Sequence, residues 1–333
     1  MGELKATGTT YIEAISKALR DEMREDGAVF LMGQDVAAYG GAFKVTRGFL
    51  EEFGSARVVN TPIAESGAVG MAVGAALLGR RPVVEMQFAD FVACAFNQVA
   101  NVAAKMYWRT QSAVPLVLRL PTGGGFGAGP FHSQSQEALF AHTPGLKVVV
   151  PSTPEDAYDL LRDGVRDPNP VLYFEHKHLY RRIRSDLVMG VARKDRTRDY
   201  LPLGRAREVR PGRQITVLTY GSMVHDVLAA LVGLDVSVQV IDLRSLVPLD
   251  EDLVLTAARS TGKVLIVHEA TGTCGFGAEL AARVAEKAFE HLDAPVRRLA
   301  FPDSPIPYSS LLEQDGLPDA AVVREELLAL ARW

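Results

Sequence analysis

The sequence contains few cysteines and carries little net charge. Cys94 and Cys274 are its two cysteines, and their separation fits neither a disulfide framework nor a metal site. The formal net charge is −4 over 333 residues, which argues against a nucleic-acid binder, because such a protein needs a strong basic excess. We therefore expect a protein of the reducing cytoplasm with no nucleic-acid partner. Cys94 is predicted to be a core residue.

Long hydrophobic runs are also absent. No apolar stretch reaches the roughly 18 residues that spanning a bilayer requires. The first residues lack the basic segment and apolar run of a signal peptide. We expect a cytoplasmic protein with no membrane partner. Hydrophobic residues make up 48% of the chain and charged residues 23%, which is typical of a soluble globular protein, and the length fits two domains.

Apolar strands alternate with helices along residues 1–186. This alternation predicts an α/β domain with a mostly parallel sheet that helices cover on both faces. The predicted strands are Val29–Met32, Val58–Val59, Pro82–Gln87, Pro115–Leu120, Leu146–Val150 and Val171–Phe174. The predicted helices are Tyr11–Arg24, Glu65–Leu78, Phe91–Ala104 and Pro154–Val165.

A polar stretch separates this region from a second α/β region. Residues 187–213 lose the apolar periodicity and are predicted to form a linker, and residues 214–333 a second domain. The predicted fold class is therefore α/β, with two doubly wound, mostly parallel-sheet domains. The predicted strands of the second domain are Ile215–Tyr220, Val236–Asp242, Val264–His268 and Val296–Ala300. Its predicted helices are Met223–Leu231, Asp250–Ser260, Ala278–Leu292 and Ala320–Ala331.

Three segments carry candidate functional residues, each of which also has a purely structural explanation. Glu65 begins a helix of small residues, where the helix dipole alone favours a carboxylate. Phe91 follows a strand, and its ring suits a core as well as a ligand site. His132 follows the glycine-rich stretch Pro121–Pro130, which lacks the lysine of a phosphate-binding loop. A lone histidine there is more often a loop residue, although loops also close over active sites.

Taken together, the motifs resemble the β subunits of thiamine-diphosphate-dependent 2-oxo acid dehydrogenases, the E1 component. The matching strings are NTPIAESG, VVEMQFADF, PTGGG, HSQSQEALFAHTPGLKVVVPSTPEDAYDLL, DPNPVLYFEHKHLYR, VIDLRSLVPLD, HEA, GFGAE and PDSPIPYS. They occur in the family order from Thr10 to Ala329. The resemblance implies a transketolase-like pyrimidine-binding domain in residues 1–186 and a transketolase C-terminal domain in residues 214–333.

The resemblance implies an active site that is shared with a second chain. In the family, a Gly-Asp-Gly motif of the α subunit binds Mg²⁺ and the cofactor's diphosphate, and this sequence has no Gly-Asp-Gly triplet. Family members are α2β2 heterotetramers with thiamine diphosphate between α and β. The implied partners are an E1 α subunit, a 2-oxo acid substrate and an E2 lipoyl acyltransferase or other acyl carrier. The implied reaction decarboxylates the 2-oxo acid and transfers the acyl group to a lipoyl carrier.

The resemblance also implies roles for individual residues. Glu65 matches the glutamate that hydrogen-bonds the pyrimidine N1′ and favours the tautomer that activates the cofactor. Phe91 matches the aromatic residue that stacks on the pyrimidine, and Gln87 and Ile63 line the same face. His132 matches the loop histidine near the substrate and the lipoyl group, where an imidazole can donate a proton during acyl transfer.

A structural K⁺ or similar monovalent ion, held mainly by carbonyl oxygens, is a further implication of the resemblance. The chain is about two residues shorter than the family pattern between Arg109 and Pro115, which alters the loop beside this site. The positions that match the ion ligands are Val114, Leu116, Val117, Gly164, Asp167 and Asn169.

Two rival functions stay open at this point. One is a split transketolase-like subunit that transfers a ketol unit, and release of CO2 from a 2-oxo acid would exclude it. The other is a non-catalytic scaffold that docks an E2 core, which predicts that a Glu65→Ala complex stays active. Within the leading hypothesis, the run Gln87–Phe91 looks more like branched-chain 2-oxo acid or acetoin enzymes than like animal pyruvate enzymes.

Overall fold

Short apolar strands and longer helices alternate along the chain, as the sequence predicts. The computed structural model describes residues 8–185 and 200–333. These fall into two units, and the α/β fold class is confirmed. The predicted linker 187–213 lies partly outside the described residues, so the domain boundaries stay predictions. The first unit takes in the described residues up to Pro121, with Thr143–Lys147 and those from Thr153 to Pro202, and the second takes in Thr122–His142, Val148–Ser152 and Leu203–Trp333.

The helices and strands have the following bounds. The strands are β1 (Thr9–Thr10), β2 (Val29–Gly33), β3 (Val58–Asn60), β4 (Arg81–Glu85), β5 (Val117–Thr122), β6 (Lys147–Val149), β7 (Val171–His176), β8 (Arg184–Ser185), β9 (Arg207–Arg210), β10 (Ile215–Thr219), β11 (Val238–Asp242), β12 (Ser245–Val247), β13 (Val264–Thr271) and β14 (Arg297–Phe301). The helices are α1 (Tyr11–Glu25), α2 (Phe49–Phe53), α3 (Glu65–Leu77), α4 (Ala104–Thr110), α5 (Glu137–Ala141), α6 (Pro154–Arg166), α7 (Met223–Ala230), α8 (Glu251–Thr261), α9 (Phe276–Lys287), α10 (Ser310–Gly316) and α11 (Ala320–Ala331). None of the helices among the described residues combines the length and the apolar character that crossing a membrane requires.

The first unit is built on a sheet that contains the consecutive strands β7-β5-β4-β2-β3. Strand β2 pairs in parallel with β3 and β4, and β4 pairs in parallel with β5. All residues of β5 and β7 are buried, as expected for a parallel sheet that is covered on both faces. Because β2, β3, β4 and β5 run parallel, their carboxyl ends form one edge of the sheet.

Charged contacts join helices α1 and α6 beside this sheet. Helix α1 begins with a capping box in which the Glu13 carboxylate accepts a hydrogen bond of 2.8 Å from the Thr10 N–H. Arg162 of α6 pairs with Glu25 at 2.6 Å and also with the buried Glu22. Because Glu22 and Arg162 are both buried, this pair fixes how the two helices pack.

The predicted helix Phe91–Ala104 is wrong in its details. The structure has a 3₁₀ turn at Ala89–Ala95, a π-helical turn at Gln98–Ala103 and then α4. Apolar periodicity averages over turns of different width, so it does not distinguish these segments from a regular α-helix. Cys94 is exposed, so its assignment to the core was also wrong.

The second unit contains a sheet of order β14-β13-β10-β11-β9. Strands β10, β11, β13 and β14 pair in parallel, and β9 adds an antiparallel edge strand. A further pairing joins β12 to Val148 and Val149. Helices α7 and α11 cover the apolar core of this sheet, and their buried side chains include Val227 and Leu327. The sequence did not predict β9 or β12, which are short.

A fully buried histidine lies in the core of the second unit. The His268 side chain on β13 stacks on Tyr220 with ring centroids 6.3 Å apart. A Cβ atom on Gly277 would lie 2.4 Å from the His268 ring, so the glycine makes room for the imidazole. Burial lowers the pKa of His268 from its usual value of 6.5 to about 4.

We predict that His268 makes the protein sensitive to acid. Because the pKa of His268 is depressed in the folded protein, the unfolded chain binds more protons than the folded one between pH 6.5 and 4. The stability that the neutral, buried His268 allows at higher pH is therefore lost as the pH falls through this range. On going from neutral to acidic solution, the free energy of unfolding of a His268→Gln variant should fall by about 2 kcal/mol less than that of the wild type, as measured by urea unfolding. The exposed His291 gives the matched control, and the free energy of unfolding of His291→Gln should fall by as much as that of the wild type. An equal loss in all three proteins would contradict the prediction.

Candidate active site

Parallel strand ends bring several of the predicted residues to one edge of the first sheet. Gly33, Asn60 and Glu85 are aligned across the last positions of β2, β3 and β4. Glu65 and Gln87 lie just beyond the ends of β3 and β4. Ligand sites in α/β proteins form at this edge, because the loops that follow the strands converge there.

Glu65 is the first residue of α3 and is partly exposed. The side-chain amide of Gln34 donates a hydrogen bond of 3.0 Å to Glu65 Oε1. The positive end of the α3 dipole also stabilises the carboxylate. Among the described residues, Oε2 has no hydrogen-bond partner, so it is the oxygen that can share a proton with a ligand. Gln34 was not predicted from the sequence, although its position directly after β2 places it at the same edge.

An aromatic cluster lies next to Gln87. Phe88 contacts Phe91 edge-on at 5.8 Å between ring centroids and Phe43 at 5.5 Å. Phe91 and Gln87 are partly exposed, and the Ile63 side chain is 84% exposed. The Phe91 ring is therefore anchored on one side and accessible to a flat ligand. The binding roles of Phe91, Gln87 and Ile63 stay predictions.

Helix α3 packs against both turns that follow this cluster, Ala89–Ala95 and Gln98–Ala103. A Cβ atom on Gly70 would make ordinary van der Waals contact with the Gln98 side chain, at 3.6 Å, so α3 lies next to the second of these turns. Glu65 and Phe91 therefore lie on neighbouring elements of the same unit.

His132 belongs to the second unit, where it follows the glycine-rich loop and is partly buried. The φ angles of Gly125 and Gly127 are 91° and 71°, a region in which other residues are strained. The backbone N–H groups of both glycines donate hydrogen bonds to the buried carboxylate of Glu313. The loop thus has a defined shape, and the catalytic role of His132 stays a prediction.

The positions predicted to hold a monovalent ion lie in the first unit. Several of their oxygens take part in hydrogen bonds within the protein. The Leu116 carbonyl accepts from the Val171 N–H at 2.8 Å, and the Gly164 carbonyl accepts from the Asp167 N–H at 3.3 Å. The Asp167 carboxylate accepts from the Asn169 amide at 3.1 Å. The described residues contain no cluster of three or more His, Cys, Asp or Glu side chains suited to a metal. That finding does not concern carbonyl ligands, so the ion site stays a prediction.

Comparisons with known proteins cover nearly the whole chain. A family model described as transketolase, pyrimidine binding domain, matches residues 7–182, and one described as transketolase, C-terminal domain, matches residues 204–323. A 2-oxoisovalerate dehydrogenase subunit beta from Bacillus subtilis is 46% identical over 97% of this chain and 99% of the relative. A 3-methyl-2-oxobutanoate dehydrogenase subunit beta from Mycobacterium tuberculosis is 44% identical over 93% and 88%. A pyruvate dehydrogenase E1 component subunit beta from Chaetosphaeridium globosum is 43% identical over 91% and 92%.

The chain belongs to the E1 β-subunit family. This confirms the resemblance that the sequence motifs indicate. The fold is also that of a solved structure titled split gene transketolase, inactive beta4 tetramer. The TM-score is 0.78 at 22% identity, over 98% of this chain and 99% of that chain.

A buried charge network in this E1 β subunit lies directly below the candidate site. Arg119 on β5 is 0% exposed, and its guanidinium pairs with Glu85 on β4 and Glu175 on β7. The Nε atom of Arg119 lies 3.2 Å from a Glu175 oxygen, and the Tyr180 hydroxyl donates to Glu175 at 2.8 Å. Burial raises the pKa of Glu85. This network was not predicted from the sequence. Its signal was a buried charged residue within each of three mainly apolar strands, Glu85 in β4, Arg119 in β5 and Glu175 in β7.

We predict that Arg119→Met destabilises the protein strongly. The substitution keeps the volume but leaves buried carboxylates unpaired, which should lower the free energy of unfolding by about 3 kcal/mol in guanidinium denaturation. Arg24→Ala is the matched control, because Arg24 pairs with Glu52 but is 57% exposed, and such a pair contributes less than about 1 kcal/mol. An Arg119→Met protein as stable as this control would show that the network does not hold the strands together.

Proposed function

We propose that this E1 β subunit acts in an αβ complex that decarboxylates a 2-oxo acid with thiamine diphosphate and transfers the acyl group to a lipoyl carrier. The observation that carries the proposal is the Glu65 carboxylate. It lies at the strand edge where ligands bind, is held through one oxygen by Gln34, and has its second oxygen available.

The residues of the first unit fit the pyrimidine half of thiamine diphosphate. Glu65 offers an acceptor to a ring nitrogen, Phe91 offers a flat apolar surface, and Gln87 and Ile63 offer polar and apolar contacts. The diphosphate half needs a different set of groups, and the sequence lacks the Gly-Asp-Gly triplet that would supply them. We therefore assign Mg²⁺ and diphosphate binding to the α subunit.

Bound thiamine diphosphate supplies the carbon nucleophile and the electron sink for decarboxylation. Glu65 Oε2 would hold a proton towards the pyrimidine N1′ of the bound cofactor, which would favour the tautomer that activates it. Gln34 is a neutral donor, so it stabilises the Glu65 carboxylate and fixes its orientation without adding a charge. Phe91 supports the ring and excludes water from that face.

His132 acts in the second half of the proposed reaction. One sulfur of the lipoyl disulfide accepts the acyl group and the other sulfur accepts a proton as the S–S bond breaks. An imidazole is suited to deliver that proton near neutral pH. Decarboxylation does not require this proton, so the two half-reactions depend on different residues of the chain.

A branched-chain 2-oxo acid is the proposed substrate. The Bacillus subtilis and Mycobacterium tuberculosis relatives carry the names of such enzymes, and the run Gln87–Phe91 supports the same preference. The proposed partners are an E1 α subunit in an α2β2 heterotetramer and an E2 lipoyl acyltransferase. A K⁺ ion at the predicted carbonyl positions and a cytoplasmic location are parts of the same proposal.

We predict that Glu65→Gln abolishes decarboxylation. The complex should be produced by co-expression with an E1 α subunit, and CO2 release should be measured with 2-oxoisovalerate, pyruvate and an artificial electron acceptor. Loss of the proton-sharing carboxylate should reduce the rate by about 100-fold or more. Glu51→Gln, at an exposed position of α2, is the matched control and should retain the wild-type rate.

Two results would overturn the proposal in different ways. Full activity of Glu65→Gln would favour the scaffold hypothesis. A stable, cofactor-loaded wild-type complex that releases no CO2 from either 2-oxo acid would favour ketol transfer.

A further inference from the structure

The glycine-rich loop of the second unit encloses two buried carboxylates. Glu269 lies on β13 and is 7% exposed, and Glu313 lies on α10 and is 1% exposed. The Gly124 N–H donates a hydrogen bond of 2.6 Å to Glu269. The N–H groups of Gly125 and Gly127 donate to the two oxygens of Glu313 at 2.9 Å and 2.7 Å. Two backbone N–H groups of the loop thus point at the one Glu313 carboxylate, as they do in concavities where backbone N–H groups bind anions.

The loop backbone fits closely against these groups. A Cβ atom on Gly124 would lie 2.5 Å from a Glu313 oxygen, and one on Gly129 would lie 2.3 Å from the Tyr308 ring. The Ser222 hydroxyl donates to the second oxygen of Glu269 at 3.0 Å. Both oxygens of each carboxylate therefore accept hydrogen bonds.

The base of the loop is tied separately. The Thr122 hydroxyl donates to the Gln134 carbonyl at 2.9 Å, and the Gly123 N–H donates to the same carbonyl at 3.4 Å. Along the chain, His132 lies between the glycines that donate to the two carboxylates and Gln134, which belongs to this base. A glycine-rich segment has many accessible conformations, so its shape depends on the bonds that restrain it. Bonds from an N–H to a carboxylate are roughly twice as strong as bonds between neutral groups.

We propose that Glu313 and Glu269 are positioning residues that set the place of His132 through the glycine-rich loop. This inference rests on the proposed function, in which His132 serves acyl transfer. Two residues distant from His132 in sequence then determine how accurately the histidine is positioned for the lipoyl group. Because decarboxylation is assigned to Glu65 in the other unit, the carboxylates should affect the second half-reaction more than the first.

The first test compares the two half-reactions in the αβ holoenzyme. Glu313→Gln keeps the side-chain shape but directs an NH2 group at one of the loop N–H donors. The ratio of lipoyl acylation to CO2 release should fall about tenfold, because small displacements of a catalytic group are costly. A merely structural role would lower both rates together and leave the ratio unchanged, which would overturn the inference. The exposed Glu290 provides the control, and Glu290→Gln should keep the wild-type ratio.

The second test needs no activity. Hydrogen exchange of the Gly124, Gly125 and Gly127 amides should be faster in Glu313→Gln than in Glu290→Gln. If Glu313→Gln does not fold, Glu269→Ala removes the acceptor of the Gly124 N–H and should give the same two results. Unchanged exchange in the loop would overturn the inference. A wild-type complex that releases no CO2 would instead refute the proposed function, and the exchange experiment would still test the loop restraint.

Discussion

A guanidinium group that is fully buried in a sheet must be neutralised where it lies, and in this protein that requirement shapes the first unit. Arg119 forms a salt bridge with one carboxylate from each neighbouring strand, Glu85 of β4 and Glu175 of β7. The Glu85 carboxylate also packs against the backbone of Gly41, where a Cβ atom would lie 2.6 Å from its oxygen. The loop that follows β2 is therefore held by the same network as the strands.

This restraint explains why the candidate site lies on a rigid edge. Gln34 begins the loop that Glu85 supports, and Gln87 follows Glu85 by two residues. A carboxylate that shares a proton with a ring nitrogen must keep its distance within narrow limits, and an anchored strand edge provides this. The second unit uses a different arrangement, in which a glycine loop carries a histidine and buried carboxylates restrain the loop. If His132 serves acyl transfer, as we propose, a loop suits it better than a strand, because a loop can close over a group that enters from solvent.

Local sequence pattern predicted most of the strands and helices. Apolar runs predicted most strands, and the family motifs assigned Glu65, Gln87 and Phe91 to one cofactor site, which stays a prediction. Local pattern did not reveal the π-helical turn at Gln98–Ala103, because apolar spacing does not record the width of a single turn. It also gave no account of Arg119 or Glu313. The Glu313 carboxylate binds the Gly125 N–H across 188 positions of the chain, and no periodicity links residues so far apart.

We propose that this chain supplies the pyrimidine half of a cofactor site whose diphosphate half belongs to another subunit. Calorimetric titration of thiamine diphosphate and Mg²⁺ tests it directly, first with this chain alone and then with the αβ complex. We predict no measurable binding by the chain alone and tight, Mg²⁺-dependent binding by the complex. Binding of equal affinity by the chain alone would contradict it, because the diphosphate would then be held by residues of this chain.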